Sequence, residues 1–218
     1  NVILQLARLY EALNILTAKI RQVDRPPEQE LKPLIIAFEN YFETISEVTH
    51  ISLSTLGSNP QEIVLNAWNG KDFNRLTSKL DGISNSIIKY SQQHRAYPVI
   101  HYFHNNKVKN NVILQLARLY EALNILTDKI RQVDRPPEQE LKPLIIAFEN
   151  YFETISEVTH ISLMDNDPPA ADIRKLIEES LVEEDSEGLS KEFEFRRFFY
   201  TLIHQDGWNW EDIDTKNS

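Results

Sequence analysis

Three histidines crowd one stretch of the chain, in SQQHRAYPVIHYFH at 91–104: His94, His101 and His104, among Tyr97, Tyr102 and Phe103. His101 and His104 are three residues apart, so a helix would place both on one face, within reach of one metal ion. No carboxylate stands at a supporting spacing, and a structural metal site needs about four ligands. Clustered histidines also titrate near neutrality, so the same three residues are candidate pH sensors. Histidines packed among aromatic rings and hydrogen-bonded to backbone are the simpler expectation, and no metal is assigned. Ser91 precedes His94 by three, but a nucleophile and base need an orienting acid and an oxyanion site as well.

A second candidate is the acidic stretch after residue 182. Glu183, Asp185, Glu187, Gly188 and Glu194 fall at the first, third, fifth, sixth and twelfth positions of a calcium-binding loop. Glutamate stands first where aspartate is expected, Ser190 replaces the usual apolar residue, and Lys191 takes a ligand position. A solvated acidic loop is the better reading. There is no nucleophile elbow, no HExxH and no Walker loop, so the chain is read as a non-enzyme that needs no cofactor. Lys107 and Lys109 are a small basic spot on an acidic chain, which speaks against nucleic acid as a partner. Trp68, Tyr97 and Trp208 could line an aromatic groove for a partner helix. Trp208 and Trp210 are read as aromatic anchors of a C-terminal segment that closes over the helix bundle, in preference to a ligand cage, while Arg196 and Arg197, beside Phe195, Phe198 and Phe199, combine a core stripe with a solvent edge.

The elements that must position these residues are dominated by a repeat. Residues 1–53 recur at 111–163 with one change, Ala18 against Asp128. Natural solenoid repeats drift, and they stack directly on one another, so this pair reads as a very recent or artificial duplication. The extra copy is 1–53, and 54–218 is a unique helical domain containing the second copy at 111–163. Each copy reads as a helical hairpin. Val2, Leu6, Leu9, Leu13, Leu16, Ile20 and Val23 form one stripe, Asp24-Arg25-Pro26-Pro27 interrupts it, and Leu34, Ile35, Phe38, Tyr41, Phe42 and Ile45 form the next. The second helix starts at Glu28 or Pro33. Position 18, and its counterpart 128, share a helical phase with the glutamate at 11 or 121, which places both at the solvent edge.

Between the copies, Asn59-Pro60-Gln61-Glu62 predicts a capped helix to about Trp68, closed by Gly70. Asp72 caps the next, which carries Phe73, Leu76 and Leu80, is broken at Gly82 and ends near Pro98. Ala170 to Leu181 and Leu189 to His204 are the last two helices. The fold class is therefore all-α, a multi-helix bundle with a near-identical duplicated hairpin.

Composition agrees with a globular protein: 218 residues, 41% hydrophobic, 26% charged, net charge -10 and no cysteine. Without cysteine there is no disulfide framework and no thiol chemistry. No apolar run approaches the ~20 residues of a spanning helix, and no basic-then-apolar leader opens the chain, so neither a membrane span nor a signal peptide is expected. Residues 54–110 carry seven basic and three acidic side chains, and 164–218 carry six and fifteen, which is read as two solvated faces of opposite sign.

TLGSNPQEIVLNAWNGKDFNRL, then SQQHRAYPVIHYFH, LARLYEALNIL, DPP, a double arginine and HQDGWNW together resemble the cytoplasmic C-terminal region of a bacterial two-transmembrane-helix, potassium-channel-like ion channel family. The likeness covers nearly all the unique sequence, with SQQH to HYFH its most specific part. It implies a cytoplasmic regulatory or assembly domain, on the soluble face of an inner-membrane protein, working as a homo-oligomer. Membrane contact would come only through a pore module absent from this chain, which has no TVGYG-type signature and cannot conduct ions by itself. The alternative is a stand-alone helical protein-interaction domain, open to domain swapping through the spare hairpin.

Overall fold

Asn59 starts the first helix as its residue type requires: the side chain accepts from the backbone N–H of Glu62 at 2.8 Å, and Pro60 fills the first helical position. The Glu62 carboxylate reaches back to the backbone N–H and hydroxyl of Ser58. The computed structural model describes residues 56–96, 111–159, 161–182 and 193–214, all within the compact unit Thr49–Ser218. The extra copy at 1–53, Tyr97, His101, His104, Lys107, Lys109 and the calcium-loop side chains lie outside the described residues.

The described residues form six helices and no named strand: α1 Pro60–Ala67, α2 Asn74–Ala96, α3 Val112–Asn124, α4 Glu138–Thr159, α5 Arg174–Glu178 and α6 Phe193–Gln205. A π-helical turn, Ile125–Lys129, extends α3, and a 3-10 turn, Trp210–Ile213, follows α6. The all-α expectation therefore stands. Gly70 closes α1 at φ +92°, a conformation glycine adopts without strain.

Gly82 does not break the second helix. α2 is continuous across it for 23 residues, because the helix packs along α4 for much of its length. That packing outweighs the ~1 kcal/mol a glycine costs in a helix interior. Tyr90 stacks on Tyr151 at 6.1 Å and Arg95 pairs with Glu157 at 2.5 Å, so α2 and α4 run parallel. α4 begins at Glu138, the earlier of the two expected starts, and carries Pro143 inside it. Leu144, Phe148, Tyr151, Phe152 and Ile155 are buried as the stripe requires.

α3 departs further from the sequence reading. Leu116, Leu119, Leu123, Leu126 and Ile130 are buried as expected, but the helical run stops at Lys129 and Val133 stands 86% exposed. Ile130 instead forms an isolated antiparallel bridge with Val182. Every residue from Ile113 to Leu123 is buried, so α3 is a central helix with no solvent face. Asp128 is exposed as expected, whereas Glu121 is 3% exposed and belongs to the interior. The two helices of the hairpin meet through large rings more than through close backbones: Tyr120 lies edge-on to Phe148 at 5.2 Å and to Phe152 at 5.6 Å. Phe195 of α6 stacks on Phe152 at 4.2 Å and closes this aromatic cluster.

α5 covers only the middle of the expected Ala170 to Leu181 helix. Asp172 accepts from the backbone N–H of Arg174 and from its guanidinium, so its side chain acts at the helix entrance.

Candidate functional site

The densest buried polar chemistry lies where α3 meets the C-terminal segment. Arg118 is fully buried, and its guanidinium is engaged by the C-terminal turn. Its Nε donates to the carbonyl of Ile213 at 2.9 Å and its Nη2 to the carbonyl of Asp212 at 2.7 Å. These carbonyls end the 3-10 turn, where unsatisfied acceptors gather and a cation is favoured. Burial lowers the Arg118 pKa, and the nearby charges of Asp214 and Asp212 oppose that shift.

One turn further along α3, Glu121 receives both arms of Arg196: Nε to Oε1 at 2.7 Å and Nη2 to Oε2 at 3.2 Å. The two side chains are only 4% and 11% exposed. Arg196 Nη2 also donates to the Pro169 carbonyl at 2.7 Å, which accepts from Trp210 Nε1 at 3.2 Å as well. The guanidinium sits 5.9 Å from the centre of the Trp210 ring, within cation–π range. Burial pushes the Glu121 carboxyl above its ordinary range, and the Arg196 charge and hydrogen bonds pull it back. Asp214 is pushed up by burial and by the charge of Asp172, against Arg118. Asp172 is held down to about 2 by its hydrogen bonds from Arg174.

This network joins α3, α6, the Pro169 loop and the C-terminal turn. Its donors point at the chain's own carbonyls and carboxylates, so its chemistry is fastening. Trp210, 3% exposed, is the aromatic anchor of that fastening, and Trp208 is half-buried beside it in sequence. The expected closure of the tail over the helices is therefore present. Arg196 is the interior member of the arginine pair; Arg197, more exposed, pairs with Asp167 at 2.6 Å. Sequence reasoning missed Arg118 and Glu121. The available clue was two charges three apart inside a stretch apolar on every helical face, since such charges must find partners indoors.

The histidine candidates divide. His94 is 2% exposed, with Nδ1 3.1 Å from the carbonyl of Tyr90 and its ring edge-on to Tyr90 at 4.3 Å. That is the packed, backbone-bonded histidine of the simpler reading. Ser91 donates its hydroxyl to Ile87 O at 2.9 Å. Among the described residues no group of three or more histidines and acids could hold a metal ion. Burial raises the Tyr90 and Tyr151 hydroxyls well above their ordinary range.

Of the proposed aromatic groove, Trp68 packs on Phe73 at 4.9 Å at the end of α1, and Trp208 follows α6. Among the described residues no ring contact joins the two. A different groove, of about 300 Å³, lies between α1 and the start of α2. Leu56, Ile63, Ala67 and Leu76 form its floor, with Arg75 and Lys79 on its edge.

No protein-family model matches the chain, and no solved structure matches it. The chain is similar to the uncharacterized membrane protein YdjJ of Bacillus subtilis (strain 168), at 34% identity over 125 residues. The match takes in 57% of this chain and 36% of that protein, so the chain spans about a third of the length of the curated relative it matches. This corrects two expectations. The relative is named a membrane protein and not a channel, so the channel-family resemblance is not upheld. A purely cytoplasmic placement also conflicts with it. In the fold, Arg196 of the double arginine binds Glu121 of α3, and Trp210 of HQDGWNW donates to the Pro169 carbonyl, so these motifs serve packing within the bundle. Among the described residues no helix is long and apolar enough to cross a membrane.

Proposed function

We propose that this chain carries a helical interaction domain that sits outside the bilayer in a membrane-associated protein. Its likeness over 125 residues to a protein named as a membrane protein is the observation that carries this reading. The internal fastening of α3 supports the interaction role. Buried charges tied to backbone carbonyls rigidify the bundle, and a rigid bundle offers a preorganised outer surface for a partner. The Arg118, Glu121 and Arg196 side chains are already engaged within the fold, so recognition falls to surface features such as the α1/α2 groove.

Fractionation of the native cells tests the reading, with an antibody raised against residues 56–214. The antigen is expected in the membrane fraction, and digestion of sealed vesicles of either orientation should cleave this region from one side only. An antigen found wholly in the soluble fraction would overturn the proposal.

A further inference from the structure

Among the described arginines all but one have an engaged guanidinium. Arg95, Arg131, Arg174, Arg196 and Arg197 hold carboxylates, while Arg118 and Arg135 donate to backbone carbonyls. Arg75 has neither kind of partner. It is exposed on the first turn of α2, and Lys79, also exposed and one turn on, projects from the same side of the helix. Lys71 is exposed in the preceding loop. Of the acids closest in sequence, Asp72 accepts from Asn69 and from the backbone of Asn74, and Asp81 stands two positions past Lys79, on another side of α2.

Directly beneath this pair lies the apolar floor of the α1/α2 groove. A cationic edge above an apolar floor, on a chain of net charge -10, is complementary to an anionic amphiphile. At about 300 Å³ the groove is at the small end of ligand sites, too small for a partner helix and adequate for a headgroup with its first methylenes. Screening over ~8 Å at physiological salt lets this local pair act independently of distant acidic surface.

We propose that the α1/α2 groove docks on an anionic phospholipid surface, with lipid phosphates at Arg75 and Lys79 and the upper acyl chain toward Leu56 and Leu76. The proposal rests on the membrane-associated reading above and names the partner for one of its surfaces. Each basic residue near such a surface strengthens binding about fivefold at moderate salt.

The test is co-sedimentation of the full chain with vesicles of phosphatidylglycerol and phosphatidylcholine, or of phosphatidylcholine alone, at low and high salt. Binding is expected only to the anionic vesicles, weakening with salt. Arg75→Gln with Lys79→Gln should reduce it about 30-fold, and Lys142→Gln, an exposed charge on α4, should leave it nearly unchanged. Equal binding to both vesicle types, no binding to either, or an unaffected double variant would overturn the docking surface. If the double variant instead alters self-association in sedimentation equilibrium, a second copy covers the groove and the lipid proposal fails. Native fractionation is independent of all these results, so the broader reading can stand when this one falls.

Discussion

Replacing Arg196 with methionine keeps most of the side chain's volume and removes its charge from a nearly closed site. The variant loses the two bonds to Glu121, the bond to Pro169 O and the contact with the Trp210 ring. Glu121, 3% exposed, is then a buried carboxylate without its cation. Its cheapest escape is to take up a proton. From an ordinary value of 4.5, protonation at pH 7 costs about 3.4 kcal/mol, at 1.36 kcal/mol per unit. That sets a ceiling on the electrostatic part, and it agrees with the roughly 3–5 kcal/mol typical of breaking one side of a buried pair. The sign of the pH dependence follows. In the variant, folded Glu121 binds a proton that the unfolded chain releases above about pH 4.5, so stability falls as pH rises. The penalty relative to the unmodified chain should therefore shrink, by up to about 1.4 kcal/mol per unit, between pH 7 and 5. Urea unfolding followed by tryptophan fluorescence reads this cleanly, because Trp68, Trp208 and Trp210, the chain's three tryptophans, all lie in the described bundle. The double variant Glu121→Leu with Arg196→Met should recover most of the loss, since apolar residues of similar volume often replace buried pairs without net cost. Additive single effects, or a penalty that does not change with pH, would refute the reasoning.

Two further outcomes test other parts of the structure. Asp172 has its folded pKa depressed to about 2, so the stability it contributes is present above its ordinary 3.8 and is lost as pH falls through 2. Asp172→Asn should therefore lower the urea midpoint at pH 5 and lower it much less at pH 2, and a shift of equal size at both would contradict the Arg174 pairing. In Gly57→Ala the added Cβ would stand 2.7 Å from the backbone N of Ile63 and 2.9 Å from the Glu62 carbonyl carbon. Neither atom can move without disturbing the first turn of α1, so a loss of about 1–3 kcal/mol is expected in the same assay, and a change within ~0.5 kcal/mol would show that the approach is looser than the geometry states.

The periodic stripes were legible without coordinates. Leu144, Phe148, Tyr151, Phe152 and Ile155 recur at helical spacing, and nothing but a buried face of α4 explains them. Asn59 with Pro60, and Gly70 beyond them, were equally readable, since a cap needs only residues within a few positions of it. The amphipathic pattern misled where its assumption failed: a stripe implies a solvent face opposite, and α3 has none. The sequence by itself determined the all-α class, where α1 begins, and which side of α4 is apolar, because those follow from local sterics, hydrogen bonding and side-chain phase. Only the tertiary structure decided that α4 lies parallel to α2, that Glu121 meets Arg196 across 75 positions, and that Arg118 ends on carbonyls 94 and 95 positions away. Pairings at such separation depend on which helices share a core, and the volume and rings of the whole bundle set that arrangement, leaving no periodic trace in the neighbouring residues.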